Sequence, residues 1–109
     1  MDLINIADAM ARLNNNKKLY IMLLKKFDGK NMIDDLLGKI KSGDAVAAEA
    51  SAHTLKGLAA NLSLADLRAN AESIDAQLKT GDINVNTAEI EVSMARTIEA
   101  IDLWIAENS

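Results

Sequence analysis

Apolar residues recur every three or four positions along most of the chain, and no stretch alternates apolar and polar as a half-buried strand would. Leu3, Ile6, Met10 and Leu13 predict a short first helix. Tyr20, Leu23, Leu24 and Phe27 mark one face of a second, over about 17–28. Met32, Ile33, Leu36, Leu37 and Ile40 mark a third, over about 31–41. A fourth runs over about 44–62, with Asp44 as its N-cap. Ser63 followed by Asp66 opens a fifth, over about 64–80, faced by Leu67, Ala71, Ile74 and Leu78. Asn86 followed by Glu89 has the form of a capping box and opens the last, over about 87–107, along Ile90, Met94, Ile98, Ile101 and Ile105.

The breaks between these segments are short. Gly29, Gly43 and Gly81, in "FDGK", "KSGD" and "KTGD", suit the position just past a helix end, where left-handed backbone is needed. Asn14–Asn15 and residues 83–87 are further breaks. Short connections make successive helices antiparallel neighbours. The expected fold is all-α: an antiparallel four-helix bundle over about 31–107, with the first two helices packed at one end, in a single domain taken as 1–109.

Composition narrows the function classes. Half of the residues are hydrophobic but only 3% are aromatic, so the core is aliphatic and alanine-rich, which favours helix. With no cysteine there is neither a disulfide framework nor a thiolate metal site. A net charge of −4 leaves no dominant basic face for nucleic acid, so proteins or small molecules are the expected partners. No run approaches the roughly 20 apolar residues of a membrane span. The opening "MDLINIADAM" lacks the basic-then-apolar order of a secretory signal, and the chain reads as cytoplasmic.

The fourth segment carries the single histidine, in "AHTLKG". At about 100° per residue, Ser51, Leu55, Leu58, Ala59 and Leu62 fall opposite His53 and form the core stripe, so His53 points outward. Glu49, Lys56, Gly57 and Ala60 share its face, with Val46, Ala50 and Leu64 nearby. A smooth apolar patch around one imidazole is more naturally a docking surface than a solvated face. The plainer alternatives are a structural or idle surface histidine, and a patch covered by the first two helices. The chain offers no second His or Cys to complete a metal site, no nucleophile–base pair with an oxyanion loop, and no glycine-rich nucleotide loop. Work by the imidazole itself remains, and a phosphoryl carrier suits the neighbours. Lys56, one turn away, offers positive charge to phosphoryl oxygens. Gly57 obstructs nothing, which would offset its helix cost of roughly 0.5–1 kcal/mol.

"AHTLKGLAANL" closely resembles the signature of the histidine phosphotransfer (HPt) domain family. The flanks "INIADAMARLNNNKKLYIMLLKKF", "IKSGDAVAAEASAHTLKG" and "ESIDAQLKTGD" extend the likeness over about nine tenths of the chain. The resemblance implies that His53 is the phosphoacceptor, through Nε2, that Lys56 assists electrostatically and that Gly57 opens access. It implies a carrier relaying phosphate between receiver-domain aspartates in a multistep two-component phosphorelay, without kinase activity of its own. The partners would then be response-regulator receiver domains and a sensor or hybrid kinase, the state monomeric, and the chain either free-standing or a cytoplasmic module of a larger kinase. No cofactor or metal would be bound by this chain, Mg²⁺ being expected on the receiver. Ser63, Leu58 and Ala71 depart from common family choices. Asp75 stands where some members place a polar side chain near the histidine, and reads either as a partner for imidazole Nδ1 or as a solvated charge, the second being the weightier reading.

Three other functional classes also carry a histidine on a helix of this kind. A sensor kinase's phosphoacceptor helix pair typically has an acidic residue after the histidine and a nearby proline, whereas Thr54 follows His53 and the chain has no proline. The N-terminal phosphoacceptor domain of a chemotaxis-type kinase shares the His-Lys-Gly pattern. A non-catalytic helical adaptor would carry His53 by chance.

Overall fold

The computed structural model describes residues 2–109. Among these there are six helices and no strand: α1 (Ile6–Arg12), α2 (Lys17–Lys26), α3 (Gly29–Lys41), α4 (Ala45–Asn61), α5 (Ala65–Leu78) and α6 (Ala88–Asn108). Helices α3 to α6 form a four-membered ring in which α4 packs on α3 and α5, and α6 on α5 and α3. With α1 and α2 included, the molecule is elongated, about 41 × 22 × 21 Å. None of its helices is long and apolar enough to cross a membrane.

Short polar side chains begin most of these helices by accepting orphan backbone N–H groups. Asn5 accepts from Asp8, Asn16 from Leu19 and Asp44 from Ala47, each at 3.0 Å. Gly43 and Gly81 take positive φ past helix ends, as the sequence predicts. Ser63 does the same at the end of α4 (φ 58°), although serine carries the Cβ that glycine lacks. Its conformation is held from several sides. Leu64 N–H donates to Ala59 O and Ser63 N–H to Ala60 O, the paired bonds of a Schellman turn. Ser63 Oγ donates to Asp8 Oδ2 at 2.6 Å, and Ser63 O accepts from Asn5 N–H at 2.9 Å.

Those last bonds dock α1 onto the α4–α5 turn. Tyr20 of α2 is buried beside it, donating from its hydroxyl to Leu62 O at 2.6 Å and meeting Trp104 of α6 edge-on at 5.3 Å. The N-terminal pair thus seals one end of the bundle, as expected, and leaves the middle of α4 uncovered.

Several local expectations are corrected. Gly29 does not follow a helix; it is the first residue of α3, because Asp28 caps that helix and α2 has already stopped at Lys26. The buried stripe of α4 is Ala48, Ala52, Leu55, Ala59 and Leu62, so Leu58 is not a core residue but 38% exposed. Close packing on α5 favours the alanine arc over the larger leucine. Ser51 sits at the α3 flank, donating to Asp35 Oδ2 and accepting from Lys39 Nζ, both at 2.8 Å. The Asn86–Glu89 capping box does not form: Asn86 Oδ1 accepts from Ala88 N–H, and Thr87 Oγ1 reaches Glu91. Nor does Ser63 cap α5, which starts after Leu64 without a side-chain cap, while Asp66 accepts from buried Ser93.

Gly29 is required for space. A Cβ there would lie 2.6 Å from Met94 Sδ and 2.8 Å from the Phe27 ring. We expect Gly29→Ala to lower stability in urea unfolding by about 1–2 kcal/mol, overpacking outweighing the gain in helix propensity.

Candidate functional site

The middle of α4 faces solvent because its apolar arc is narrow. His53 lies on the open side, its side chain 63% exposed. Lys56 follows three residues on and Gly57 four, so both lie one turn along the same face. A Cβ built on Gly57 meets nothing within 4 Å, so the glycine leaves free space rather than filling a tight contact. Toward the start of α4, Val46 is 83% exposed, Ala50 is exposed, and Glu49 is half-buried. Ala60 is half-buried farther along. Leu64, expected beside this patch, is instead fully buried: the chain leaves the helix at Leu62 and the Ser63 turn drives Leu64 into the core.

The neighbouring helix α5 contributes what its sequence conceals. Asp75 is 1% exposed, which rules out the solvated-charge reading. Its Oδ2 accepts from Lys56 Nζ at 2.9 Å and pairs with Lys79 Nζ at 3.3 Å. The same oxygen lies 3.6 Å from His53 Nδ1, beyond direct hydrogen-bonding distance. His53 therefore turns its Nδ1 edge toward a buried carboxylate while its ring remains in solvent. Asp75 Oδ1 is buried with no hydrogen-bond partner. Glu49 completes the group: one oxygen of each carboxylate and one imidazole nitrogen all lie within 4.8 Å of one another. The sequence, with its single histidine, did not suggest such a donor set.

Lys79 is the residue that sequence reading missed. Its signal was the i,i+4 spacing from Asp75, but that spacing matters only once Asp75 is known to be buried against α4. A shallow groove between α4 and α5, lined by Val46, Glu49, Leu78 and Lys79, adjoins the cluster. A second groove, between α3 and α6 and lined by Lys30, Ile33, Leu37, Glu91, Met94 and Ile98, contains none of these residues.

Two opposing effects set the charge of Asp75. Burial pushes its carboxyl up, but hydrogen bonding with the ammonium groups of Lys56 and Lys79 outweighs it and holds the group at about 2. The ionised form therefore stabilises the fold above about pH 4, and that contribution is lost as pH falls through about 2. At about 1.4 kcal/mol per pH unit, and with half-exposed Lys79 screened by water, it is worth about 2 kcal/mol. Asp75→Asn is expected to be less stable than wild type at pH 6, and the gap should narrow by about 2 kcal/mol at pH 2, measured by urea unfolding at both pH values.

The geometry thus presents an accessible imidazole, two ammonium groups beside it and an unobstructed turn of helix. No curated protein and no solved structure matches the chain significantly. The family model described as "Hpt domain" does match, over residues 27–106. That span covers α3, α4 and α5 entire, most of α6, and every residue of the His53 cluster. The chain belongs to the Hpt domain family, whose domains act in histidine phosphotransfer in two-component signalling.

Proposed function

We propose that this chain is a phosphocarrier in which His53 relays a phosphoryl group between receiver-domain aspartates. One observation carries the reading: the sole imidazole stands in solvent on a bare stretch of helix, backed by a buried carboxylate and two ammonium groups. The Nε2 lone pair attacks the phosphorus of a receiver's aspartyl phosphate. The N–P bond forms as the acyl phosphate P–O bond breaks, and the receiver's aspartate leaves as a carboxylate. Nε2 must be the unprotonated nitrogen, so the ring proton must reside on Nδ1. Asp75 favours that tautomer from 3.6 Å, and a small movement of the ring would bring the pair into hydrogen-bonding distance. In-line positioning and charge neutralisation are the main demands of such a transfer.

Lys56 and Lys79 supply the neutralisation. Each is held on Asp75 in the resting protein and lies close enough to swing toward phosphoryl oxygens on His53. Gly57 lets the receiver approach, and Val46, Glu49, Ala50 and Ala60 form the surrounding docking face. The chain binds no cofactor for this step, the Mg²⁺ of the transfer belonging to the receiver. It acts as a cytoplasmic monomer and as one HPt domain, exchanging phosphate with receiver domains and their kinase, without kinase activity of its own.

Incubation with a phosphorylated receiver and Mg²⁺ should label the protein with acid-labile, alkali-stable phosphate, and incubation with ATP alone should not. His53→Gln should take up no label; a labelled His53→Gln protein would move the acceptor elsewhere. Gly57→Leu should keep or slightly raise thermal stability, because it fills open space and improves helix propensity. Its transfer rate should fall at least tenfold in rapid-quench kinetics, and an unchanged or faster rate would remove the steric role.

A further inference from the structure

The phosphocarrier reading uses the Nε2 side of His53 and leaves the other side of the ring unexplained. There, Glu49 and His53 stand at i,i+4 on α4, a spacing that lets two side chains bind one ion from a single helix face. Asp75 approaches from α5, so the three donors come from two closely packed helices. Their nearest donor atoms lie within 4.8 Å of one another. The second observation is independent of that clustering. Asp75 Oδ1 is buried and has no hydrogen-bond partner, whereas both lysines engage Oδ2. A buried, ionised oxygen without a partner is costly, and a cation would satisfy it.

We propose that Glu49, His53 Nδ1 and Asp75 form a binding site for a divalent transition-metal ion of the Zn²⁺ class, and that occupancy switches off His53 as a phosphoryl acceptor. The regulatory half rests on the phosphocarrier reading; the binding half does not. One imidazole and two carboxylates suit Zn²⁺, which takes nitrogen and oxygen ligands and leaves a fourth position to water. Mg²⁺ prefers oxygen-only octahedral sites and retains its waters, so the ion used by a receiver would not compete. Lys56 and Lys79 oppose a cation electrostatically, which keeps the site weak and reversible. Lys79 is 54% exposed and can withdraw into water.

The switch follows from the two ring nitrogens. A neutral imidazole carries one proton, and its other nitrogen holds the lone pair. Coordination takes the Nδ1 lone pair, so the proton moves from Nδ1 to Nε2 through solvent. Nε2 then has no lone pair with which to attack phosphorus. No bond to phosphorus forms or breaks, and releasing the ion restores the reactive tautomer.

The single histidine makes the test unambiguous, because every imidazole signal is His53. The full chain, labelled with ¹⁵N, is titrated with Zn²⁺ and separately with Mg²⁺, reading both ring nitrogens by long-range proton–nitrogen NMR and stoichiometry by calorimetry. One equivalent of Zn²⁺ should move the Nδ1 resonance and place the proton on Nε2, and Mg²⁺ should do neither. Glu49→Gln should weaken Zn²⁺ binding at least tenfold, and Asp75→Asn should do the same. If Asp75→Asn does not fold, Glu49→Gln, at a half-buried position on the helix surface, carries the comparison alone. Phosphate uptake from a receiver should fall at least tenfold with saturating Zn²⁺, and by a smaller factor in Glu49→Gln under the same conditions. Absence of binding, coordination through Nε2, or affinity indifferent to Glu49 would overturn the site. Binding as described with undiminished uptake would overturn the switch. Binding as described in a protein that never accepts phosphate would instead overturn the phosphocarrier reading and leave the site standing.

Discussion

A carboxylate held almost wholly out of water must be met by positive charge or neutralise itself, and Asp75 does the first. Its need for counter-charge determines the arrangement around His53. Lys56 is drawn down from the α4 surface to 25% exposure instead of extending into solvent. Lys79 is brought back along its own helix to the same oxygen. The imidazole then has one polar side already defined by Asp75 and one side left to solvent. Removing Asp75 would release both ammonium groups and take away the negative charge beside His53 Nδ1, so this one buried acid links the packing of α5 on α4 to the electrostatics of the surface.

The alanine arc of α4 makes that link possible. Ala48, Ala52 and Ala59 are completely buried, as is Ala71 on α5. Small side chains let the two backbones approach closely, which brings a residue as short as aspartate within reach of both Lys56 and His53. The same arc places the large Leu58 outside the core. Close packing and the charge cluster are therefore two results of one compositional choice.

These relations explain what could be read from the sequence. The outward placement of His53 was legible because it depends on angles within a single helix, where rotation per residue is nearly constant. The six helices were legible from apolar spacing, and Asp44 from capping chemistry. Asp75 was misjudged because its burial depends on how α5 lies against α4, which no local pattern records. Leu64 was misjudged for a related reason: it was projected along α4, while the backbone reverses at Ser63. Gly29 looked like a helix stop because glycine serves both at ends and at close approaches, and only Met94 and Phe27, packed against it, distinguish the two. Lys79 escaped notice until its partner was known.

His53 is carried on the seventeen-residue helix α4 and not on a loop. Its backbone is fixed by hydrogen bonds on both sides, so its freedom reduces to two side-chain torsions, χ1 and χ2. Most enzymes close something over their reactants; this geometry offers nothing to close. For the proposed transfer, alignment of the reacting atoms comes from how a second rigid body seats itself on the helix, and an error of one helical turn in that seating would displace His53 by about 5.4 Å. Shape agreement between two surfaces, not motion within this one, is then the natural source of discrimination among partners.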